Sequence, residues 1–164
     1  MKIFLDMDDV VADWKALGQQ LVGRTWESGL THLPDHDWVK IKSYDRFYRD
    51  VTLKESAHEL VDFCTKFANK NKVELAFLTA LPHDNDMPYA AYDKVMWADK
   101  YFPHLVVFFG PYSGDKWKHC TPGDILIDDR VTNCQQWREV GGIAHEYTTW
   151  QNCKPWLEEI LNGY

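Results

Sequence analysis

The sequence has no apolar run approaching the roughly 18 residues that suggest a membrane span, and its opening, Met1-Lys2-Ile3-Phe4-Leu5-Asp6, meets acid too soon for a secretory leader. A soluble, cytoplasmic protein without membrane attachment is expected. Cysteine is sparse. Cys64, Cys120, Cys134 and Cys153 lie far apart with no C-x-x-C pair, which excludes a zinc knuckle and a thioredoxin-type motif and leaves reduced structural thiols. Cations are in deficit: 18 Lys and Arg face 25 Asp and Glu, for a formal net charge of −7. Binding along a polyphosphate backbone relies on clustered cations, so a long nucleic acid is not an expected partner, whereas a small anion received by local cations or a metal is compatible. Neither G-x-S-x-G nor H-E-x-x-H occurs, which removes the commonest hydrolase and metalloprotease readings. Gly110 to Lys116 follows a strand-like run but lacks the glycine spacing and the Lys-Ser/Thr ending of a P-loop. No internal repeat or low-complexity tract is present.

Aromatic residues are what the chain has in excess, 15% of 164 residues with eight Trp, more than a core of this size requires. Flat side chains serve base-binding pockets as well as cores. The length suits one domain with a single substantial core. Apolar runs of strand type are Ile3 to Leu5, Val73 to Leu78, Val106 to Phe109, Ile125 to Ile127 and Ile143 to His145. Between them, Leu53 to Lys70 places Ala57, Leu60, Val61, Cys64, Phe67 and Ala68 on one helical face, opened by a capping box of Thr52 and Glu55. Further helices are predicted from about Tyr89 to Tyr101, from Cys134 to Glu139 before Gly141-Gly142, and around Pro155 in the first turn of a last one. Alternating strands and helices imply an α/β fold with a parallel sheet of about five strands. Residues 14–50, too long for a simple crossover, are expected to form a small cap inserted after the first strand, leaving a core of about 1–13 and 51–164.

Ligands of such sheets gather outside the carboxyl ends of the strands. Asp6, Thr79 and Asp128 each follow or close a strand-like run and are expected to converge there. Asp6-Met7-Asp8 alone is no more than an acidic turn, but Thr79, the Lys116 and Lys118 pair and Asp128-Asp129 complete the order Asp, Thr, Lys, Asp-Asp. That order resembles the signature motifs of the haloacid dehalogenase-like phosphohydrolases. The resemblance extends to the 5'(3')-deoxyribonucleotidase family, because Asp6-Met7-Asp8 continues as Val10-Val11-Ala12-Asp13-Trp14, much like D-M-D-G-V-L-A-D-F. Tyr92-Asp93-Lys94, Trp97 and Lys100-Tyr101-Phe102 are similar to Y-E-K-x-x-W-x-x-K-Y-F, and Asp124 to Arg130 is similar to D-x-L-I-D-D-R.

The resemblance implies a Rossmann-like sheet with a mainly helical cap, and a magnesium-dependent phosphatase cleaving deoxyribonucleoside monophosphates. Asp6 would attack phosphorus and form an aspartyl phosphate, while Asp8 would protonate the leaving oxygen and later deprotonate water. Mg²⁺, suited to hard oxygen donors, is expected on Asp6, the Asp8 backbone carbonyl, and Asp129 or Asp128, with Asp129 favoured. Thr79, with Ala80 beside it, would donate to phosphate oxygens. Lys118, ten residues before Asp128, is preferred to Lys116, twelve before, as the phosphate lysine. His83 and His119 are adjacent candidates for phosphate or water contacts. Trp14, Trp38 and Phe47 are expected to line the base site, where stacking is worth roughly 1–3 kcal/mol.

Two positions depart from the pattern. Asp9 stands where the family usually has Gly, and Ala80 where Ser commonly follows the Thr. The loop His83 to Pro88, with Asp84, Asn85 and Asp86, is longer than the family pattern. These departures keep two alternatives in view: a phosphatase of the same superfamily for a sugar phosphate or a nucleic-acid 3'-phosphate, and a non-catalytic nucleotide-binding module. A homodimer is left open.

Overall fold

The computed structural model describes residues 1–27, 30, 32–83 and 86–163. Five parallel strands, β1 (Lys2–Leu5), β2 (Glu74–Thr79), β3 (Val106–Phe109), β4 (Ile125–Asp128) and β5 (Ile143–Glu146), form one sheet in the order β3-β2-β1-β4-β5. Each lies within a residue or so of its apolar run. The alternation of side chains divides the core in two. Ile3, Leu5, Phe77, Ile125 and Ile127 face one side with residues of α4 (Ala57–Asn71), α5 (Ala90–Tyr101) and α7 (Trp150–Asn162). Phe4, Ala76, Leu78 and Leu126 face the other, closed by Cys134 and Trp137 of α6 (Val131–Glu139). The four cysteines are free thiols.

The chain runs outward from β1 to β2 and β3, then returns to place β4 on the other side of β1. Strand order therefore reverses between β1 and β4, and a crevice opens at their carboxyl ends, where open α/β sheets take their ligands. Asp6 and Asp128 sit at that point, with the Asp6 N–H donating to the Ile127 carbonyl at 2.9 Å.

Residues 14–50 form α1 (Trp14–Val22), α2 (Asp35–Lys42) and α3 (Phe47–Asp50), an insertion after the first strand. The Asp13 side chain accepts from the Ala16 N–H at the start of α1, and Gly23, left-handed at φ 80°, ends it. Gly18 lies mid-helix because a Cβ there would come within 2.5 Å of the Trp26 ring.

Three predicted boundaries are corrected. The capping box of Thr52 and Glu55 does not form, and α4 begins at Ala57. The Thr52 carbonyl instead accepts from the Asp13 N–H, and the Lys54 N–H donates to Val11. Backbone used in that pairing is not free to wind into a helix. Helix α6 starts at Val131, three residues earlier than expected. Pro155 lies in the second turn of α7, whose first turn is capped by Thr149 accepting from the Asn152 N–H. Among the described residues, no helix is long and apolar enough to cross a membrane.

Candidate active site

The loop after β1 folds around one carbonyl. Met7 O accepts from the N–H groups of Val10, Val11 and Ala12 at 3.2, 2.9 and 2.8 Å. Closing so tight a turn requires a left-handed residue, and Asp9 takes φ 59°. This explains why glycine suits the position and why Asp, which tolerates that conformation better than most residues, can replace it. Its carboxylate turns toward α1 and accepts from the Lys15 N–H at 3.0 Å. Burial, with the charge of Asp8 adding to it, pushes Asp9 up to about 6 against the opposing pull of Lys15 and Lys54.

Asp6, Asp128 and Asp129 each bring a carboxylate oxygen within 4.8 Å of the others. Lys116 lies among them, its ammonium 2.8 Å from Asp6 and 2.7 Å from Asp128. This corrects the preference for Lys118. The 3-10 helix Ser113–His119 turns Lys116 inward, 2% exposed, while Lys118 points out and pairs with Asp115 at 2.7 Å. Its tighter winding separates the two lysines by about two-thirds of a turn, so spacing from Asp128 could not choose between them.

Asp128 is fully buried and its oxygens are occupied. Asn133 donates to both at 3.0 Å, the Arg130 N–H to one at 2.9 Å, and Lys116 to the other. Ser113 fixes the Asn133 amide by donating to its oxygen at 2.9 Å. A carboxylate so saturated positions its neighbours, and Asp129 is the freer of the adjacent pair to bind a cation.

The electrostatics show a shortage of positive charge. Burial raises Asp6 to about 7 against the pull of Lys116, with Asp128 and Asp8 adding repulsion. Burial likewise lifts Asp129 well above the carboxylate range, reinforced by Asp6 and Asp128. Burial also works to discharge Lys116, but Asp128 and Asp6 outweigh it and hold its pKa above the ordinary lysine value. A hard, oxygen-only donor set with surplus negative charge fits a divalent cation of the Mg²⁺ type.

Lys94 was missed by sequence reasoning as a site residue. Its ammonium lies 2.6 Å from Asp8 Oδ2 and 2.8 Å from Thr79 Oγ1, and the side chain is almost wholly buried. A lone lysine on a helix gives no outward sign of this, although it falls within the Tyr92 to Phe102 segment that carries the resemblance. Thr79 is fully buried at the end of β2, and Ala80 follows it half-buried.

The remaining candidates divide. His83 stacks on Tyr112 with centroids 4.1 Å apart, and His119 lies 3.3 Å from the Gly110 carbonyl; no hydrogen bond or ion pair joins either to the Asp6 cluster among the described residues. Asp84 and Asn85 lie outside the described residues. Trp14 packs against Trp26, Trp38 and Phe47 at 5.7, 5.8 and 5.4 Å. The four rings form one cluster, and Phe47 at 1% exposure is a core residue of it. Trp26 is held by Asp37, which accepts from its indole N–H at 2.9 Å.

A family model described as "5' nucleotidase, deoxy (Pyrimidine), cytosolic type C protein" matches residues 1–155. Among solved structures, the chain is similar to a hydrolase from Streptococcus pneumoniae TIGR4, with a TM-score of 0.52 and 13% identity over 96% of this chain and 97% of that one. A HAD hydrolase, family IA, variant 3, from Entamoeba histolytica HM-1:IMSS gives a TM-score of 0.47 and 10% identity over 92% and 86% of the two chains. The first likeness concerns the fold alone, and the second carries no further argument. No curated protein matches the sequence.

Proposed function

The chain belongs to the deoxy (pyrimidine), cytosolic type C 5' nucleotidase family, and from that premise we propose that it hydrolyses deoxyribonucleoside monophosphates through an aspartyl phosphate on Asp6. The observation that carries the reading is Lys116 bridging Asp6 and Asp128 beside Asp129 at the strand-order reversal.

Asp6 attacks phosphorus while Asp8 protonates the departing oxygen. Asp8 then takes a proton from the water that cleaves the phosphoaspartate, and Asp6 is restored. Lys116 offers its charge to the phosphate and keeps the Asp6 oxygen oriented. The Thr79 hydroxyl accepts from Lys94, so its own proton is free for a phosphate oxygen. Asp6, the Asp8 backbone carbonyl and Asp129 would hold Mg²⁺, which would neutralise phosphate oxygens and offset repulsion from the carboxylates. The ligand is a small molecule met in the cytoplasm, neither a membrane nor a long nucleic acid.

One observation favours a second reading. Phe47 is buried, and Trp14 contacts Trp26, Trp38 and Phe47, so the rings named for the base serve one another as packing. A sugar phosphate needs no such ring. Phosphate release from 5'- and 3'-deoxynucleotides, ribonucleotides and sugar phosphates, with Mg²⁺ and with chelator, decides between the two. Preference for deoxynucleotides, loss in chelator and loss in Asp6→Asn are expected. Metal-dependent release without base preference replaces the substrate and keeps the chemistry, and no release from any ester rejects both.

A further inference from the structure

Lys94 is an expensive residue to bury, and its surroundings show what it holds. Its ammonium has three neighbours from three parts of the chain: Asp8 from the loop after β1, Thr79 from the end of β2, and the ring of Tyr48, whose centroid lies 4.5 Å away, from α3 of the insertion. Helix α5 carries Lys94 into this position and is itself clasped by the insertion. Arg46, between α2 and α3, is bidentate to Asp93 through Nε and Nη2 and stacks on Tyr89, its guanidinium carbon 4.6 Å from the ring centroid. The Trp97 indole donates to the Val51 carbonyl at 2.7 Å. Asp93 and Lys94 are consecutive, about 100° apart around the helix axis, so one helix presents an acid to the insertion and a cation to the site.

We propose that Lys94 is a positioning residue for Asp8, linking the seat of the insertion to proton delivery at the leaving group; this rests on the hydrolytic reading above. By engaging Oδ2, Lys94 fixes the rotation of the Asp8 carboxyl and leaves Oδ1 to carry the proton. As the Asp6 oxygen forms its bond to phosphorus, the bond from phosphorus to the leaving oxygen breaks and its electron pair takes that proton. The Asp8 carboxylate that remains is already paired with the Lys94 ammonium, so its new charge has a counter-ion without rearrangement. Lys94 need not touch the substrate for this.

The proposal is tested by leaving-group dependence. An alkyl phosphate requires a proton at the departing oxygen, whereas p-nitrophenyl phosphate releases a stable phenolate without one. The comparison uses kcat/KM, which reports formation of the phosphoenzyme, for wild type, Lys94→Met and Lys94→Gln, on p-nitrophenyl phosphate and on the alkyl ester cleaved fastest in the panel. The expected result is a loss of about 100-fold or more on the alkyl ester against less than about 10-fold on p-nitrophenyl phosphate, in variants whose thermal unfolding remains cooperative. Lys94→Gln serves if Lys94→Met does not fold. Equal losses on the two esters would make Lys94 a general structural or phosphate-binding residue and overturn the proposal, as would no loss on either. A wild type inactive on both esters removes the hydrolytic reading itself, and the proposal with it.

Discussion

The ammonium of Lys116 stands 2.8 Å from a carboxylate oxygen of Asp6. The contact gives the proposed nucleophile a counter-charge in a buried setting.

Lys116→Met should lower kcat/KM by roughly 10²–10³, the scale of losing a preorganised cation or donor at a reacting group. Lys118→Met should change it by less than about 3-fold, because that side chain is 56% exposed and its ammonium meets Asp115 and the Trp117 ring rather than the Asp6 cluster. Steady-state kinetics on one substrate check both. A large loss in Lys118→Met with Lys116→Met near wild type would reinstate the lysine chosen by spacing.

Arg46→Ala strands Asp93, which is 2% exposed and has its bidentate partner in the insertion. A buried carboxylate left without its partner is destabilising, so the variant should unfold at clearly lower urea than wild type. Lys154, by contrast, meets Glu158 at 3.8 Å with both side chains about half exposed, and Lys154→Ala should cost no more than about 0.5 kcal/mol. Urea unfolding of the two variants measures the difference, and comparable costs would show that Arg46 does not clamp the insertion.

Asp9→Asn keeps a residue that tolerates φ 59° and an oxygen for the Lys15 N–H, but discards the charge. Burial raises the Asp9 carboxyl from 3.8 to about 6. A carboxyl raised on folding favours the folded state fully only below its ordinary value, and that contribution is lost as pH rises through the folded-state pKa. Wild type should therefore be less stable than Asp9→Asn at pH 7, with the gap closing between about pH 6 and 4. Melting temperatures across that range, in chelator, give the answer. Parallel curves would mean that Asp9 is not strained by its charge.

The strands were legible because each is a short apolar run between helical patterns, and three of them stop abruptly at Asp6, Thr79 and Asp128. Asp6, Asp128 and Asp129 could be placed together for the same reason, since the carboxyl ends of adjacent parallel strands meet whatever lies between them. The lysines were not legible in this way. Whether Lys116 or Lys118 turns inward depends on the 3-10 winding of Ser113–His119, and Lys94 reaches Asp8 only because α5 packs where it does. The beginning of α4 was misjudged because Thr52 and Lys54 pair with the loop after β1, a competition invisible in local propensity. Among the aromatics, composition announced a cluster without saying that the rings would spend themselves on each other.

Strand β1 pairs on one flank with β2 and on the other with β4, so Ile3 meets Ile125 across most of the sequence. The half-sheet of β1, β2 and β3 carries Asp6 and Thr79, whereas Asp128 and Asp129 come only with β4. The carboxylate cluster therefore exists only when both flanks of β1 are paired. A chain arrested before β4 docks could carry Asp6 on a well-formed strand and still hold no catalytic centre, which ties the appearance of activity to completion of the sheet.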